Sequence, residues 1–567
     1  MGRSGGDGYG RAATICCCGA AVRIVLCLLG MQPMLENALE LVVPSASWER
    51  AKDGIFLGSM GLSHYAGGVF SGSPLTLAAA ALCAMLPAGL QALGATILFT
   101  AFDVMSALLL RVMCRRAVEV ESCDWETKLE EWMDEDTRPS DSQGAPSASS
   151  PRSSAPPISA DCTRGTAASD DKNAPETKCT RDRFPSSKKF SDNTLQYDKP
   201  PSSTRAVDVT STSREGGDDK LSWQQHLPDV VVAVYLLNPI LAAQCVALSG
   251  DVLGRVLPLA ALAAACRGRC GRQSGAATTV AVALAAATCL WRFHAAPLIL
   301  PATLMLGSDR GHKDDFEEAE TREQNKDVGI LSDELLRVSF DTRAFLDLCF
   351  KFAVWCAVIL GACWLSTSCS WAFLRATAGG QLLCEDLTPN PGLYWYFFAE
   401  VFPRFRGFFR VLFLSQPYVY VLPATLRLGM FPQAAATLLL AIFGVFQPYP
   451  TLADPVVAGC LFLCHPRTVQ RMRYVIPVTL AAVVPSLLLP TMRHLWLRAG
   501  TGNANFYYFQ TVALNVLLSM IVLQFAAALV KRRKALALAF EKRRKAADGS
   551  VNGVGVKVDE DLAGRTP

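Results

Sequence analysis

The residue types in this chain that could do chemistry are acids, cysteines and histidines near the edges of apolar segments. A carboxylate can act as a general base, and a cysteine activated by a histidine can act as a nucleophile. Four acids follow the first apolar segment: Glu36, Glu40, Glu49 and Asp53. No two of them are adjacent or separated by a single residue, so this loop lacks a paired-acid motif of the DxD type.

The 20 cysteines and six histidines offer no recognisable nucleophile. Most cysteines lie inside apolar runs, where a thiol behaves as a small hydrophobe. The sequence contains no CxxC pair, so we expect neither a metal site nor a thioredoxin-type motif. Cys369 and Cys384 fall in one predicted loop, where a disulfide and two free thiols are both compatible with the sequence. His64, His294 and His494 are scattered at segment edges, and we expect them to make structural hydrogen bonds.

Three stretches combine polar and aromatic residues between apolar segments: residues 44–74, 385–410 and 494–509. Tryptophan and tyrosine rings favour the headgroup level of a bilayer, because each has an apolar body and a polar tip. One interpretation of these stretches is therefore an interfacial belt of aromatic residues that binds no ligand.

The amides that accompany these rings favour a second interpretation. Asn390, Asn503 and Asn505 stand among small residues and rings. A carboxamide offers both donors and acceptors to sugar hydroxyls or phosphate oxygens. Gly500 and Gly502 would let backbone N–H groups approach such a headgroup. A glycolipid is a ligand that needs rings, amides and lipid depth together.

Long apolar runs must position these stretches. The chain is 51% hydrophobic with a mean hydropathy of +0.25, and its charged residues, 18% of the total, lie mainly between the runs. Within a bilayer every backbone polar group must be satisfied inside the segment, and the ten-residue alternation typical of a barrel does not occur. We predict an all-α, polytopic helical membrane protein with about 12 transmembrane helices. The predicted spans are 12–31, 95–113, 228–249, 252–266, 275–291, 295–307, 344–366, 407–426, 430–447, 455–470, 474–492 and 509–530.

Basic clusters determine the predicted topology. They lie at 115–116, 267–272, 467–473 and 531–534. The run 75–113 is long enough for two spans, but Pro87 interrupts it, and an in-plane helix followed by one span is the alternative. One span there places all four clusters on the cytosolic side with both termini, so we prefer it.

The chain divides into six predicted regions. The first insert is rich in Ser, Pro, Thr and charge, so it cannot bury enough surface to offset the entropy of ordering. The regions are the first spans with a luminal loop (1–116), a disordered cytosolic insert (117–222), membrane helices (223–307), a charged cytosolic insert (308–343), membrane helices with luminal loops (344–530) and a basic cytosolic tail (531–567).

Five segments carry a family resemblance. AGTGNANFYYFQTVALNV resembles the signature of the PIG-U family, the multi-span subunit of the GPI transamidase complex, and DLTPNPGLYWYFFAEVFPRF resembles a second strongly patterned segment of that family. QPYPTLADP and YLLNPILAAQCVA are similar to a short loop and a span of the family, and residues 42–70 fit its N-terminal region. The insert 117–222 is longer than the family usually has, and His64 stands where the family tends to have proline.

The resemblance implies a non-catalytic subunit in the endoplasmic reticulum membrane, which helps to bind the GPI lipid and present it for attachment to the C-terminus of precursor proteins. It also implies a glycosyltransferase-C-like layout with luminal in-plane helices, and partner subunits that include a cysteine-protease-like catalytic subunit. No cofactor and no nucleic acid are expected. The residues expected to bind the lipid are Asn390, Trp395, Tyr396, Trp496, Asn503, Asn505, Phe506 and Tyr507.

Two other functions are compatible with such a membrane protein. A GPI mannosyltransferase that uses dolichol-phosphate-mannose would need paired acids in its first luminal loop, whereas the pair Glu385-Asp386 lies in the DLTPN segment. A transporter would carry ionisable residues inside the membrane. The candidates, which we expect to snorkel to the interface from nearby span ends, are Asp103, Arg255, Arg292 and Asp454.

Overall fold

Helices account for all of the regular secondary structure in the described part of the chain. The computed structural model describes residues 4–121, 215–267, 275–292, 297–298, 300–302 and 342–560. Within these residues there is no β-strand, so the predicted all-α class is confirmed for them.

The described helices range from single turns to long continuous elements. Up to residue 366 they are α1 (Ser4–Leu28), α2 (Gln32–Glu36), α3 (Trp48–Ser59), α4 (Pro74–Ala84), α5 (Ala88–Glu121), α6 (Glu215–Leu236), α7 (Pro239–Val246), α8 (Gly250–Arg267), α9 (Gly275–Trp291) and α10 (Thr342–Ser366). Beyond it they are α11 (Ala372–Leu374), α12 (Gly380–Leu383), α13 (Tyr394–Glu400), α14 (Pro403–Val419), α15 (Val421–Arg427), α16 (Pro432–Phe446), α17 (Ala453–Leu463), α18 (Pro466–Val469), α19 (Val475–Leu497) and α20 (Ala504–Glu560).

Five helices in the described ranges are long and apolar enough to cross a membrane. They are Gly10–Leu28 in α1, Ala88–Glu119 in α5, Phe345–Ser366 in α10, all of α19, and Ala504–Leu538 in α20. The pair α6 and α7 adds a sixth candidate if it counts as one span bent by 52°. Helices α4, α16 and α17 are apolar but shorter. The structure agrees with a helical membrane protein, while the predicted count of about 12 spans is not confirmed.

The run 75–113 contains one short helix and one span candidate. Ser73 caps α4, because its hydroxyl accepts a hydrogen bond from the backbone N–H of Thr76 at 3.3 Å. Helix α4 has 11 residues, too few to cross a bilayer. Pro87 precedes α5, which continues unbroken to Glu121. This arrangement agrees with one span in the run.

The bend between α6 and α7 has a local cause at Asn238-Pro239. Pro239 has no N–H group to donate to α6. The side-chain oxygen of Asn238 accepts hydrogen bonds from the backbone N–H groups of Ile240 at 3.0 Å and Leu241 at 3.4 Å. Asn238 therefore caps a new helix, which leaves at 52° to the preceding one.

Both predicted inserts lie mostly outside the described residues. Helix α5 extends to Glu121 and α6 begins at Glu215, so the edges of the predicted insert 117–222 are helical. Helix α10 begins at Thr342, at the predicted end of the insert 308–343. Helix α20 continues to Glu560, so most of the predicted tail 531–567 is helical.

A buried polar network joins α1, α5, α6 and α8. The guanidinium of Arg23 contacts the carboxylate of Asp103 at 2.5 Å, and both side chains are fully buried. The hydroxyl of Tyr235 donates to Asp103 at 2.8 Å, and Arg255 donates to that hydroxyl at 3.2 Å. A buried charge without a partner would be costly. The expectation that Asp103 and Arg255 snorkel to the interface is therefore wrong, since both are buried and paired.

Candidate functional site

The three polar-aromatic stretches meet on one side of the helical body, which we call the loop face. Arg50 of the first stretch contacts Asp386 of the second at 3.1 Å. The hydroxyl of Tyr508 in the third stretch donates to the carbonyl oxygen of Leu393 in the second at 3.1 Å. These pairs are 336 and 115 residues apart in sequence, so tertiary structure assembles the loop face.

An aromatic cluster lies on this face, made by Trp395, Tyr396, Trp496, Tyr507 and Tyr508. Trp395 stacks on Trp496, with ring centroids 6.2 Å apart and an interplanar angle of 22°. Tyr507 and Tyr508 each meet the ring of Trp395 edge-on at 6.0 Å. Tyr396 stacks on Tyr508 at 4.6 Å. Such ring pairs add stabilisation beyond the area they bury, so these contacts help to hold α13 against α19 and α20.

Helix α13 supplies one wall of the cluster, and the hairpin of α19 and α20 supplies the other. Trp395 is 3% exposed and Tyr507 is fully buried. Tyr508 was not among the predicted residues, although its place in the aromatic run 506–509 was a signal for it. Four predicted residues, Trp395, Tyr396, Trp496 and Tyr507, thus lie together.

The loop between α19 and α20 sets the contact of Trp496 with Tyr507. Gly500 has a φ of +66°, a left-handed conformation that is costly for a residue with a Cβ atom. The N–H of Gly502 donates to the carbonyl oxygen of Leu495 at 3.0 Å. A Cβ atom on Gly502 would lie 3.2 Å from the backbone nitrogen of Trp496. The expectation that Gly502 offers its N–H to a headgroup is wrong, because the loop already uses that group.

Asn503 and Asn505 are exposed at the rim of the aromatic cluster. Asn503 caps α20, since its side-chain oxygen accepts a hydrogen bond from the backbone N–H of Phe506 at 3.2 Å. The hydroxyl of Tyr396 donates to the side-chain oxygen of Asn505. Neither amide nitrogen has a hydrogen-bond partner among the described residues, so both can donate to a ligand oxygen. Phe506 follows Asn505 directly in sequence and is 55% exposed.

Asn390 lies apart from this rim. Its side chain is fully buried. Its oxygen accepts a hydrogen bond from the N–H of Gly392 at 2.8 Å, and its nitrogen donates to the carbonyl oxygen of Thr388 at 3.1 Å. Both polar ends therefore hold the turn before α13, and the residue serves the loop's shape.

An ion pair that sequence reasoning missed stands one turn before Trp496. The Nε of Arg493 donates to the two carboxylate oxygens of Glu40 at 2.9 and 3.1 Å. Glu40 is 2% exposed, and its carbonyl oxygen accepts from the N–H of Leu452 at 2.9 Å. The pair therefore ties the first loop to α19 and to the loop before α17.

Other chemically capable groups on the loop face are engaged in structure. Asp386 accepts hydrogen bonds from Arg50 at 3.1 Å and from the N–H of Thr388 at 2.9 Å. Burial raises the pKa of the Cys384 thiol to about 11, which is the opposite of an activated nucleophile. Cys369 and Cys384 are free thiols in the structure, so the disulfide alternative is not formed there.

Glu36, another acid of the first loop, has a shifted pKa. Burial, aided by the charge of Glu49, raises the pKa of its carboxyl to about 6. Its Oε1 atom is buried and has no hydrogen-bond partner within the described ranges. A pKa in this range is compatible with general acid–base chemistry.

Comparison with known proteins identifies the family. A sequence model described as GPI transamidase subunit PIG-U matches residues 17–514. The chain belongs to the PIG-U family. The match includes every residue of the aromatic cluster and both members of the Glu40–Arg493 pair. The predicted resemblance is therefore confirmed over most of the chain.

Individual PIG-U relatives match over shorter stretches. The GPI-anchor transamidase component PIGU of Homo sapiens is 28% identical over 311 residues, which are 54% of this chain and 64% of the human protein. The protein of the same name from Cricetulus griseus is 36% identical over 163 residues, 29% of this chain and 38% of its own length. The GPI transamidase component GAB1 of Saccharomyces cerevisiae is 37% identical over 142 residues, 24% of this chain and 35% of its own length. Each match spans less than two thirds of the relative.

Proposed function

We propose that this chain is a non-catalytic, multi-pass subunit of a GPI transamidase in the endoplasmic reticulum membrane. In this role it binds the GPI lipid and presents it to a cysteine-protease-like catalytic subunit, for attachment to the C-terminus of a precursor protein. Membership of the PIG-U family and the names of the relatives support the assignment to this complex. About 12 spans in a glycosyltransferase-C-like layout, with luminal in-plane helices, belong to the same proposal.

The main observation in support of lipid binding is the aromatic cluster with two amides at its rim. The buried rings pack beneath the rim. The side-chain N–H groups of Asn503 and Asn505 have no acceptor among the described residues, so they can donate to a ligand. Phe506 adds an exposed apolar ring beside them. Polar groups at the edge of an apolar surface suit a molecule with both a sugar–phosphate headgroup and acyl chains.

The engagement of the candidate catalytic groups supports the non-catalytic part of the proposal. Glu40 is neutralised by Arg493, and Asp386 is held by Arg50 and its own turn. Cys384 is buried, and burial raises the pKa of its thiol. None of these three groups has the setting of a base or nucleophile.

One observation favours a second function, transfer of mannose from dolichol-phosphate-mannose. Glu36 has a raised pKa of about 6 and stands in the first loop, where such an enzyme would place its base. It lies near Glu49, whose carboxylate is bonded to Lys52 at 2.8 Å. The lipid-presenting function stays preferred because the family and the relatives are those of a transamidase component.

Loss of the chain distinguishes the two functions. Cells without it should accumulate complete GPI lipids, together with precursor proteins that still carry their C-terminal signals, as measured by mass spectrometry of lipids and by immunoblotting. Accumulation of under-mannosylated GPI lipids would instead establish the mannosyltransferase. Complementation with Glu36→Gln adds a second readout, because anchoring should be restored by this variant only if Glu36 is not a catalytic base.

A further inference from the structure

A second opening on the loop face shares no residue with the aromatic cluster. We call it the polar recess. It is open to solvent, and the space inside it that water-sized molecules can occupy is about 30 Å³. This is room for a small polar group such as a hydroxyl and not for a whole sugar ring. The residues of its lining that matter below are Ser45, Ser71, Asp251, Arg292, Gln447 and Tyr449.

Close packing of the first loop on the start of α8 forms the recess. A Cβ atom on Gly250 would lie 2.9 Å from the hydroxyl of Thr76 and 3.3 Å from the carbonyl oxygen of Ala46. Only glycine allows this approach without a shift of its neighbours. Ser45 and Asp251, the residues next to this contact, consequently line the same recess.

Arg292, which lines the recess, lies between the carboxylate of Asp251 in the lining and that of Asp454 outside it. Its guanidinium is 2.8 Å from Oδ1 of Asp251 and 3.3 Å from Oδ1 of Asp454, and it also donates to Gln447. The second oxygen of Asp454 accepts from Gln447 at 2.8 Å and from the N–H of Thr451 at 2.7 Å. The expectation that Arg292 and Asp454 snorkel is therefore wrong, and Asp454 has both oxygens occupied.

Asp251 is different, because one of its oxygens has no donor. The side chain is 94% buried, being 6% exposed, and Oδ1 faces Arg292. The buried Oδ2 has no hydrogen-bond partner among the residues that the structure describes. A buried carboxylate oxygen without a donor is unfavourable, so a donor from a ligand would stabilise this arrangement.

The groups that line the recess indicate which ligand would supply that donor. The lining holds one carboxylate, Asp251, and one guanidinium, Arg292, and the unpaired Oδ2 atom needs a donor, which a phosphate or sulfate dianion lacks. The hydroxyls of Ser45 and Ser71 can both donate and accept, and the ring of Tyr449 forms one wall. Carboxylate, hydroxyls and an aromatic wall together suit the hydroxyl-rich surface of a sugar.

We propose that the polar recess receives a hydroxyl group of a sugar that lies against its mouth, with Oδ2 of Asp251 as the principal acceptor. The identity of that sugar as the glycan of the GPI lipid rests on the proposed function. A sugar held here and a lipid held at the aromatic cluster would fix the glycolipid at two points of the loop face.

The test uses the full chain purified in a detergent without a sugar headgroup, with methyl α-mannoside as the probe in saturation-transfer NMR. The unmodified chain should bind the probe. Asp251→Asn should weaken binding about tenfold or more, since a hydrogen bond to a charged acceptor is lost. The double variant Ser45→Ala with Ser71→Ala keeps the ion pairs and should also weaken binding. Ser59→Ala is the control, because Ser59 is exposed and its hydroxyl donates to its own helix at 2.7 Å.

Equal binding by the unmodified chain and the double serine variant would overturn the proposal, even if the Asp251 variant failed to fold. Displacement of the probe by inorganic phosphate at the same concentration would overturn it too, since the recess would then be an anion site. Crosslinking of a photoactivatable GPI lipid separates this proposal from the proposed function. If Asp251→Asn loses probe binding while GPI crosslinking stays normal, the recess binds a sugar and the chain binds the lipid. The sugar is then not the glycan of that lipid.

Discussion

Arg493 and Glu40 form an ion pair across 453 residues of sequence, with the guanidinium Nε bonded to both carboxylate oxygens. The same Arg493 stands three residues before Trp496, and Glu40 also anchors the loop before α17 through its carbonyl oxygen. The pair therefore couples the position of the first loop to the position of the aromatic cluster. The pair should therefore contribute to the free energy of unfolding, which can be measured.

Removing one member of this pair should destabilise the chain. Glu40→Gln or Arg493→Met leaves the other charge without a partner, so we expect a loss of about 3–5 kcal/mol in the free energy of unfolding. The double variant should recover much of that loss. Thermal unfolding of the detergent-solubilised chain measures the cycle. Lys52→Met is the matched control, because its exposed pair with Glu49 should contribute less than about 0.5 kcal/mol.

Trp395 should tolerate phenylalanine far better than alanine. Trp395→Ala removes the ring on which Trp496 stacks, so the free energy of unfolding should fall by about 3–5 kcal/mol. Anchoring should fall with it. Trp395→Phe keeps a ring and deletes an indole N–H that is buried with no hydrogen-bond partner in the described ranges, so its cost should be much smaller. The melting temperature measures the loss of stability, and the amount of an anchored reporter protein at the cell surface measures the loss of anchoring. Equal losses for the two variants would contradict a stacking role.

The rim amides should affect lipid binding separately from stability. Asn503→Ala removes a helix cap worth about 1 kcal/mol, whereas Asn503→Ser keeps a cap and removes the carboxamide. If the carboxamide binds the lipid, both variants should lose crosslinking to a photoactivatable GPI lipid. Tyr396→Phe is the control for Asn505→Ala, because both delete the same hydrogen bond but only the second deletes the amide. Normal crosslinking in Asn503→Ser with Asn505→Ala would refute the rim as a binding site.

Much of the fold class and part of the site could be predicted from the sequence, because both depend on local pattern. The long apolar runs predicted helices, and the aromatic runs around Trp395 and Tyr507 indicated where the cluster would form. Asn390 and Asn503 both precede an aromatic run by a few residues, yet Asn390 is buried in a turn and Asn503 is exposed. Local composition cannot distinguish these two outcomes, since burial depends on which distant helices cover the loop.

The burial of the ionisable residues also depends on contacts between segments that are distant in sequence. Arg255, Arg292 and Asp454 lie close to the ends of predicted spans, whereas Asp103 lies near the middle of α5. A single span offers such residues only the interface as a partner. In the fold each meets a charge from another helix, such as Arg23 for Asp103 or Asp251 for Arg292. A pairing between distant segments has no signature in the spacing of one sequence. The polar recess was missed for this reason.

The loop between α19 and α20 should tolerate alanine poorly at Gly500. Gly500→Ala places a Cβ atom at a φ of +66°, so we expect a loss of about 1–2 kcal/mol from the backbone alone, since no neighbouring atom lies within 4 Å. Gly361→Ala is the control. It lies inside α10 with equally open surroundings, and alanine there should stabilise the helix by up to about 1 kcal/mol. Chemical or thermal unfolding of both variants gives the comparison, and equal effects would contradict it.

The stability of the chain should depend on pH through Glu36. Burial raises the pKa of this carboxyl to about 6, so the folded state favours the protonated form. The cost of ionisation is fully present above about pH 6 and is relieved as the pH falls toward 4.5. Glu36→Gln should therefore stabilise the chain at pH 7.5 by about 1 kcal/mol, allowing for partial solvent screening, and have little effect at pH 4.5. A difference in melting temperature that is constant with pH would contradict this.

The buried arginine of the first helix has a consequence for how the chain is made. Arg23 needs the carboxylate of Asp103 and the carbonyl oxygen of Leu236, and the second of these is 213 residues further along the chain. When α1 leaves the ribosome, neither partner has been synthesised. The release of an apolar helix into lipid is then unfavourable, because the helix contains a charged residue without a partner. We expect the first helix to wait at the insertion machinery until its later neighbours arrive, so that membrane integration of this chain is a cooperative event and not a succession of independent ones.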